Sequence, residues 1–200
     1  TYARNLTDKF SIGSNLKFIR ESIANNNASG YAIDIGTLFD TPFGFKLGTS
    51  ISNFGPKMKM SGDDLIVPVD INENLEGNNE NTTGKISTDY FDLPLLLRVG
   101  IAGIKLFPKI GTITWAIDSG HPNDNNSYIN TGLEINLFNN ILSFRTGHRS
   151  LYLNDRVNEY SFGLGLNLSS LMSKQINIDY SFESLKFLGT TQQLSVRLRL

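Results

Sequence analysis

From Asn158 to Leu168 the chain alternates without a break: Tyr160, Phe162, Leu164, Leu166 and Leu168 are apolar, and Ser161, Gly163, Gly165 and Asn167 between them are small or polar. Side chains two apart share one face of an extended strand, so the stretch reads as a β-strand with one greasy face and one wet face. The same pattern recurs over residues 9–23, 30–39, 43–54, 92–102, 111–119, 128–137, 142–149, 175–182 and 192–200. Runs of this length approach the ~9–11 residues with which a tilted strand crosses a bilayer. The expected fold is all-β, an antiparallel transmembrane β-barrel with about ten strands present, forming one domain over residues 1–200.

Alternation alone does not orient the two faces, because a soluble lipocalin-like barrel or a sandwich would turn the apolar face inward and the polar face to water. The polar faces carry Asn15, Lys17, Asp34, Lys46, Arg98, Asp118, Asn130, Glu134, Arg145, Asn177, Asp179, Arg197 and Arg199 among glycine and serine. That mixture suits a crowded lumen, and an 18% charged chain is short of the Lys and Glu a fully solvated exterior would carry. Mean hydropathy is -0.16, and no apolar run approaches the ~20 residues of a membrane helix. A helical membrane protein is thereby excluded, but a barrel is not, since only one face of each strand meets lipid. A net charge of -1 supplies no basic field for nucleic acid, and the absence of cysteine removes thiol chemistry and disulfides.

The connections are expected to differ between the two ends of the sheet. Residues 40–42, 103–110, 138–141 and 169–174 read as compact turns, whereas 24–29, 55–91, 120–127, 150–157 and 183–191 read as mostly longer and polar. Transmembrane barrels place short turns on the periplasmic side and long loops outside. The insertion at 55–91 is far longer than a hairpin loop, and loops of that size are usually functional or disordered. Its cargo- or ligand-facing candidates are Pro56, Lys57, Met58, Met60, Asp63, Asp64, Leu65 and Ile66, because exposed Met and aliphatic side chains adapt to varied apolar partners. The plainer expectation for the insertion is a loop folded over the pore, with Leu65, Ile66, Val67, Val69 and Ile71 packing into the mouth or adding a short strand.

Motifs for chemistry are sparse. Asp70, Asn72 and Asn74 begin like a calcium loop, but Leu75 stands where the sharp-turn glycine belongs and Asn81 at the bidentate Glu position, so a solvated acidic loop is the better account. No metal or other cofactor is expected. No G-x-S-x-G, H-E-x-x-H or P-loop spacing occurs, and Asp118 with His121 is the one nearby acid–base pair; His121 and His148 read as loop or rim residues, and the chain as no enzyme. Trp115, Tyr128, Tyr160 and Tyr180 are candidates for interfacial aromatic girdles.

Ser52-Asn53-Phe54-Gly55-Pro56-Lys57-Met58, continued by Ser61-Gly62-Asp63-Asp64-Leu65, resembles the PorV/PorQ family of outer-membrane proteins, relatives of the FadL-type fatty-acid channels. Similar motifs are Phe91-Asp92-Leu93-Pro94-Leu95-Leu96-Leu97-Arg98-Val99-Gly100, the His121-Pro122-Asn123-Asp124 core, Gly132-Leu133-Glu134, Arg145-Thr146-Gly147 and Ile178-Asp179-Tyr180. The resemblance implies a FadL-like barrel of ~14 strands in the outer membrane of a Gram-negative-type bacterium, of which this chain would be the C-terminal portion, with about four strands and a signal peptide upstream. The strand-like opening at Thr1-Tyr2-Ala3-Arg4 fits an N-terminally truncated piece, while Leu200 stands where many such barrels end on an aromatic residue. It further implies a non-enzymatic role in type IX secretion, binding the C-terminal signal domains of secreted cargo proteins and passing them to the attachment machinery. The alternative is a FadL-like channel for hydrophobic small molecules.

Overall fold

A computed structural model describes residues 1–69, 82–153, 158–169, 175–187 and 189–199. Its strands are β1 (Tyr2–Thr7), β2 (Phe10–Ile23), β3 (Asn26–Asp40), β4 (Phe45–Phe54), β5 (Met58–Lys59), β6 (Ser61–Gly62), β7 (Ile66–Pro68), β8 (Thr83–Lys85), β9 (Tyr90–Phe91), β10 (Leu96–Phe107), β11 (Gly111–Pro122), β12 (Tyr128–Leu137), β13 (Leu142–Leu151), β14 (Asn158–Asn167), β15 (Gln175–Leu185) and β16 (Gly189–Arg199). One large antiparallel sheet runs in the order β1-β2-β3-β4-β10-β11-β12-β13-β14-β15-β16, with β6 added beside the start of β3. Two small ribbons, β5 with β9 and β7 with β8, lie within the insertion.

All ten stretches with the alternating pattern are strands of this sheet, and β1 is an eleventh. β10 starts later than the pattern suggests and runs on to Phe107, where Ile104 pairs with Thr114 and Leu106 with Thr112. There two aliphatic side chains join the polar face, a local reversal that an alternation rule ends at Ala102.

The expected contrast in loop length is largely overturned. β2 and β3 pair up to Ile23↔Asn26, leaving residues 24–25 as the turn, with Ala24 at φ 50. β15 and β16 likewise pair up to Leu185↔Gly189. Cross-strand hydrogen bonding carries these polar stretches into the sheet, since an extended backbone gains ladder bonds whatever its side chains. The asymmetry between the two ends therefore rests on the chain between Phe54 and Leu96 alone.

The register keeps the two faces separate across strands. Ile135, Phe144, Leu164, Tyr180 and Leu194 form one row, and Leu137, Leu142, Leu166, Ile178 and Val196 the next. On the opposite face the matching rows are Glu134, Arg145, Gly163, Ser181 and Gln193, then Asn136, Ser143, Gly165, Asp179 and Ser195. Nothing among the described residues covers the apolar face: Phe18 is 77% exposed, Leu16 72% and Leu194 68%. The surface totals 14653 Å². A water-soluble monomer of 22.2 kDa exposes about 9,400 Å². If half of the roughly 5,000 Å² excess is apolar, hydrating it costs on the order of 60 kcal/mol, well above the net stability of a domain. The face needs an apolar cover. No helix among the described residues is long and apolar enough to cross a membrane, which leaves open a crossing by strands.

Candidate functional site

The buried hydrophobic core of the described residues is one small cluster, Ala28, Ala32, Met58 and Leu93, with Ile19, Met60 and Phe91 packed against it. It lies where the insertion folds back on the polar face of β2 and β3. β3 carries its small residues Ala28, Gly30 and Ala32 on that face at alternate positions, opening a shallow bed between longer side chains. Met58 fills the bed: a Cβ at Gly30 would stand 2.8 Å from its sulfur. A Cβ at Gly55 would collide with the Tyr31 carbonyl oxygen and meet Leu93, so the chain enters the insertion pressed against the β3 backbone, where only glycine fits.

Polar contacts hold both ends of this layer. Asn53, at φ 60, donates its backbone N–H to Asp34 at 2.8 Å and its side-chain amide to the Pro94 carbonyl at 2.9 Å. Lys17 pairs with Asp34 at 2.7 Å and donates to Asn53 Oδ1 at 2.9 Å, so one network ties β2, β3 and β4 to both strands of chain bounding the insertion. Lys57 pairs with Asp92 at 3.0 Å beside the β5–β9 ribbon, and Lys59 lies over the Tyr90 ring at 5.2 Å.

Asp64 clips the layer to the β2–β3 turn. Its carboxylate accepts the Asn25 side-chain amide at 2.8 Å and the Asn25 backbone N–H at 3.0 Å. These bonds, the side-chain amide first, hold the carboxyl below its ordinary value. A depressed folded value means that the clip is fully made above the ordinary carboxylate range and is lost as pH falls through the lowered value. Protection of the Asn25 amide against hydrogen exchange, taken relative to its unprotected rate at the same pH, should therefore fall on acidification below the ordinary carboxylate range, and Asp64→Ala should lack that protection at every pH.

The eight insertion candidates thus separate by role. Met58 is buried, 1% exposed, and cannot grip a partner; it anchors the layer, because alternation in β5 turns it toward the sheet. Met60 is half-buried against the same cluster. Leu65 is half-buried, its carbonyl accepting the Ile86 N–H at 2.8 Å. Pro56, Lys57, Asp63, Asp64 and Ile66 are exposed. The aliphatic surface that faces outward is Ile66, Val69 and Ile86, with Tyr90 nearby in sequence to Ile86; Ile86 and Tyr90 escaped the sequence reading because neither sits in a patterned run. The calcium-like stretch from Asp70 to Asn81 lies outside the described residues.

Further down the polar face, Arg145 donates to Glu134 at 2.6 Å and to Asp179 at 2.8 Å, bridging β12, β13 and β15 across β14. Asn136 donates to Glu134 at 2.7 Å, and Ser143 to Asn136 at 2.5 Å. Asn136, Ser143, Arg145 and Asp179, with Asn177 and Arg197, line a polar cleft of about 280 Å³. The bridge crosses β14 because Gly165 is there: a Cβ would stand 2.9 Å from Asp179 Oδ1 and 3.0 Å from Arg145 Nη1. Gly165→Ala should displace the flexible ends of that pair and shift Ser143, whose Cβ would stand 3.2 Å away, by a few tenths of an ångström. Since both groups are more than 40% exposed, the expected loss in denaturant unfolding is at most about 1 kcal/mol.

No acid–base pair forms at His121. Its Nδ1 lies 2.6 Å from Ser127 Oγ, while Asp118 accepts from Asn130 at 2.9 Å; an odd spacing puts Asp118 and His121 on opposite faces of β11. His148 pairs with Thr131 and lies beside Tyr160 on the apolar face, near the insertion end of β13. Among the four girdle candidates Trp115, Tyr160 and Tyr180 lie on the apolar face, but Tyr128 covers Gly120 on the polar face. No cluster of three or more metal-binding side chains exists among the described residues. No protein-family model matches the chain, and neither a curated protein nor a solved structure matches it.

Proposed function

We propose that this chain forms most of the wall of an outer-membrane β-barrel whose insertion caps one mouth, and that it binds or shuttles secreted cargo proteins in the manner of the PorV/PorQ family it resembles. The observation that carries the membrane part is the continuous, uncovered apolar face opposite a braced, small and polar one. Only a cover as wide as the sheet removes it from water, and a bilayer around a closed wall is such a cover. Strands of ten or more residues from β10 to β16 are long enough to cross it when tilted.

The cargo part rests on the sequence resemblance together with the capped mouth. Ile66, Val69 and Ile86 leave an aliphatic surface on the layer that would face the extracellular space. A channel for hydrophobic small molecules would need an apolar pocket on the inner face at that end. Lys17, Asp34 and Asn53 occupy it instead, and Met58 and Leu93 fill the bed beside them, which weighs against the channel.

Crosslinking and pull-down from native outer membranes test the reading. Recovery of secreted proteins that share a C-terminal domain is the expected result. Recovery of lipid-like ligands with no protein partner would move the assignment to the channel, and a protein absent from the membrane fraction would sink both.

A further inference from the structure

The polar cleft beside the Arg145 bridge lies at the end of the sheet away from the insertion, where β12 ends at Leu137 and β13 begins at Leu142. Gly165 and Ser143 supply its floor, because neither carries a side chain long enough to fill the polar face there. Asn167 pairs in register with Asn177, and Asn177 with Arg197, so two amides and a guanidinium stand side by side along its rim. Neighbouring strands are ~4.8 Å apart, which spreads these three groups over about 10 Å. The space, about 280 Å³, is close to the ~300 Å³ at which small-molecule pockets begin.

Hydrogen bonds already made leave this cleft rich in donors. Asn167 accepts the Ser169 N–H at 2.9 Å with its side-chain oxygen, which leaves its amide N–H groups free. Arg145 uses Nε and Nη1 on Glu134 and Asp179 and keeps Nη2. The side chains of Asn177 and Arg197 have no partner among the described residues. A guanidinium presents its donors in a fixed fork that matches the two oxygens of a carboxylate. Charge points the same way: Arg145 and Arg197 against Asp179 leave the lining at a formal +1.

We infer that this cleft binds a small polar monocarboxylate, paired with the Arg197 guanidinium and taking further N–H groups from Asn177, Asn167 and Arg145. One negative charge balances the lining. A phosphate monoester, at roughly −1.5 to −2, would exceed that balance with Asp179 and Glu134 close by. A long-chain fatty acid would lay its tail on asparagine side chains, which would lose their hydrogen bonds to water without replacement. The cleft is remote from the insertion, so its ligand is independent of whatever the insertion binds.

Titration of the purified full chain with gluconate, read by broadening of the carboxylate carbon resonance, tests the site. Saturable binding is expected, weakened about tenfold in Arg197→Gln through loss of a charge-assisted pair, and by a factor of about three in Asn177→Leu. Arg197 is exposed and makes no bond within the described fold, so its replacement leaves the strands in place. Lys46→Gln, which removes a charge elsewhere on the polar face, should leave binding unchanged. No saturable binding by the parent, or unchanged binding in Arg197→Gln, would overturn the inference and make Arg197 a solvated edge charge. An equal loss in Lys46→Gln, equal affinity for uncharged gluconamide, or tighter binding of inorganic phosphate or laurate would overturn it as well.

Discussion

If the apolar face meets lipid as proposed, Leu164→Arg is expected to destabilise the protein in a bilayer by about 2–4 kcal/mol, the cost of a guanidinium near the midplane. Leu164 stands mid-strand in β14, in a row with Ile135, Phe144, Tyr180 and Leu194, and no polar group of that row can pair with an inserted charge except the Tyr180 hydroxyl, which already donates to Gln192 at 3.0 Å. Gln193→Arg, on the other face, joins a row that already carries Glu134 and Arg145 and should stay within about 1 kcal/mol of the parent. Denaturant unfolding of the reconstituted protein gives both values. Equal behaviour of the two variants would show that lipid does not lie on the Leu164 face. A protein cover could mimic the result, and Trp115 separates the cases: it is the chain's one tryptophan and lies on the apolar face, so brominated lipid should quench it only if that face meets acyl chains.

Met58→Ala should release the insertion while leaving the large sheet intact. Removing a fully buried methionine costs about 2–5 kcal/mol, because the small residues Gly30, Ala28 and Ala32 beneath it leave a cavity that its neighbours fill only in part. The loss falls on a layer held by a small cluster and surface polar contacts, so opening of that layer becomes more frequent by a factor of ~30 or more. Limited proteolysis within the insertion should accelerate accordingly. The global unfolding midpoint should hardly move, since the strand ladders do not depend on Met58. Proteolysis at the parental rate would mean that the Lys17–Asp34–Asn53 network and the Asp64 clip carry the layer without it.

Much of the large sheet is legible in the chain because a period of two is a local property. Leu164 and Gly165 face opposite ways whatever surrounds them, and the ten patterned stretches are all strands of the sheet. β1 and the extensions of β3, β10 and β16 were harder to see. Residues such as Asn26, Lys105 and Gly189 do not advertise strand, and become strand because a neighbouring backbone offers them ladder hydrogen bonds. The insertion was legible as an insertion and as a cover, but not residue by residue.

Met58 shows why. Methionine at the head of a long polar loop is equally suited to gripping a partner or filling a gap, and the choice belongs to Gly30, Ala28 and Ala32, which lie far away along the chain and become a bed only when β3 pairs with β2. The Arg145 bridge is similar: its partners Glu134 and Asp179 are assigned by strand register, and its path by the missing side chain of Gly165. The amino-acid sequence by itself determined the two-faced strands and their meandering order, because alternation and short turns act between near neighbours. Which side chain fills which space and how the insertion seats on the polar face were decided only in the tertiary structure, because each depends on the register between segments distant in the chain.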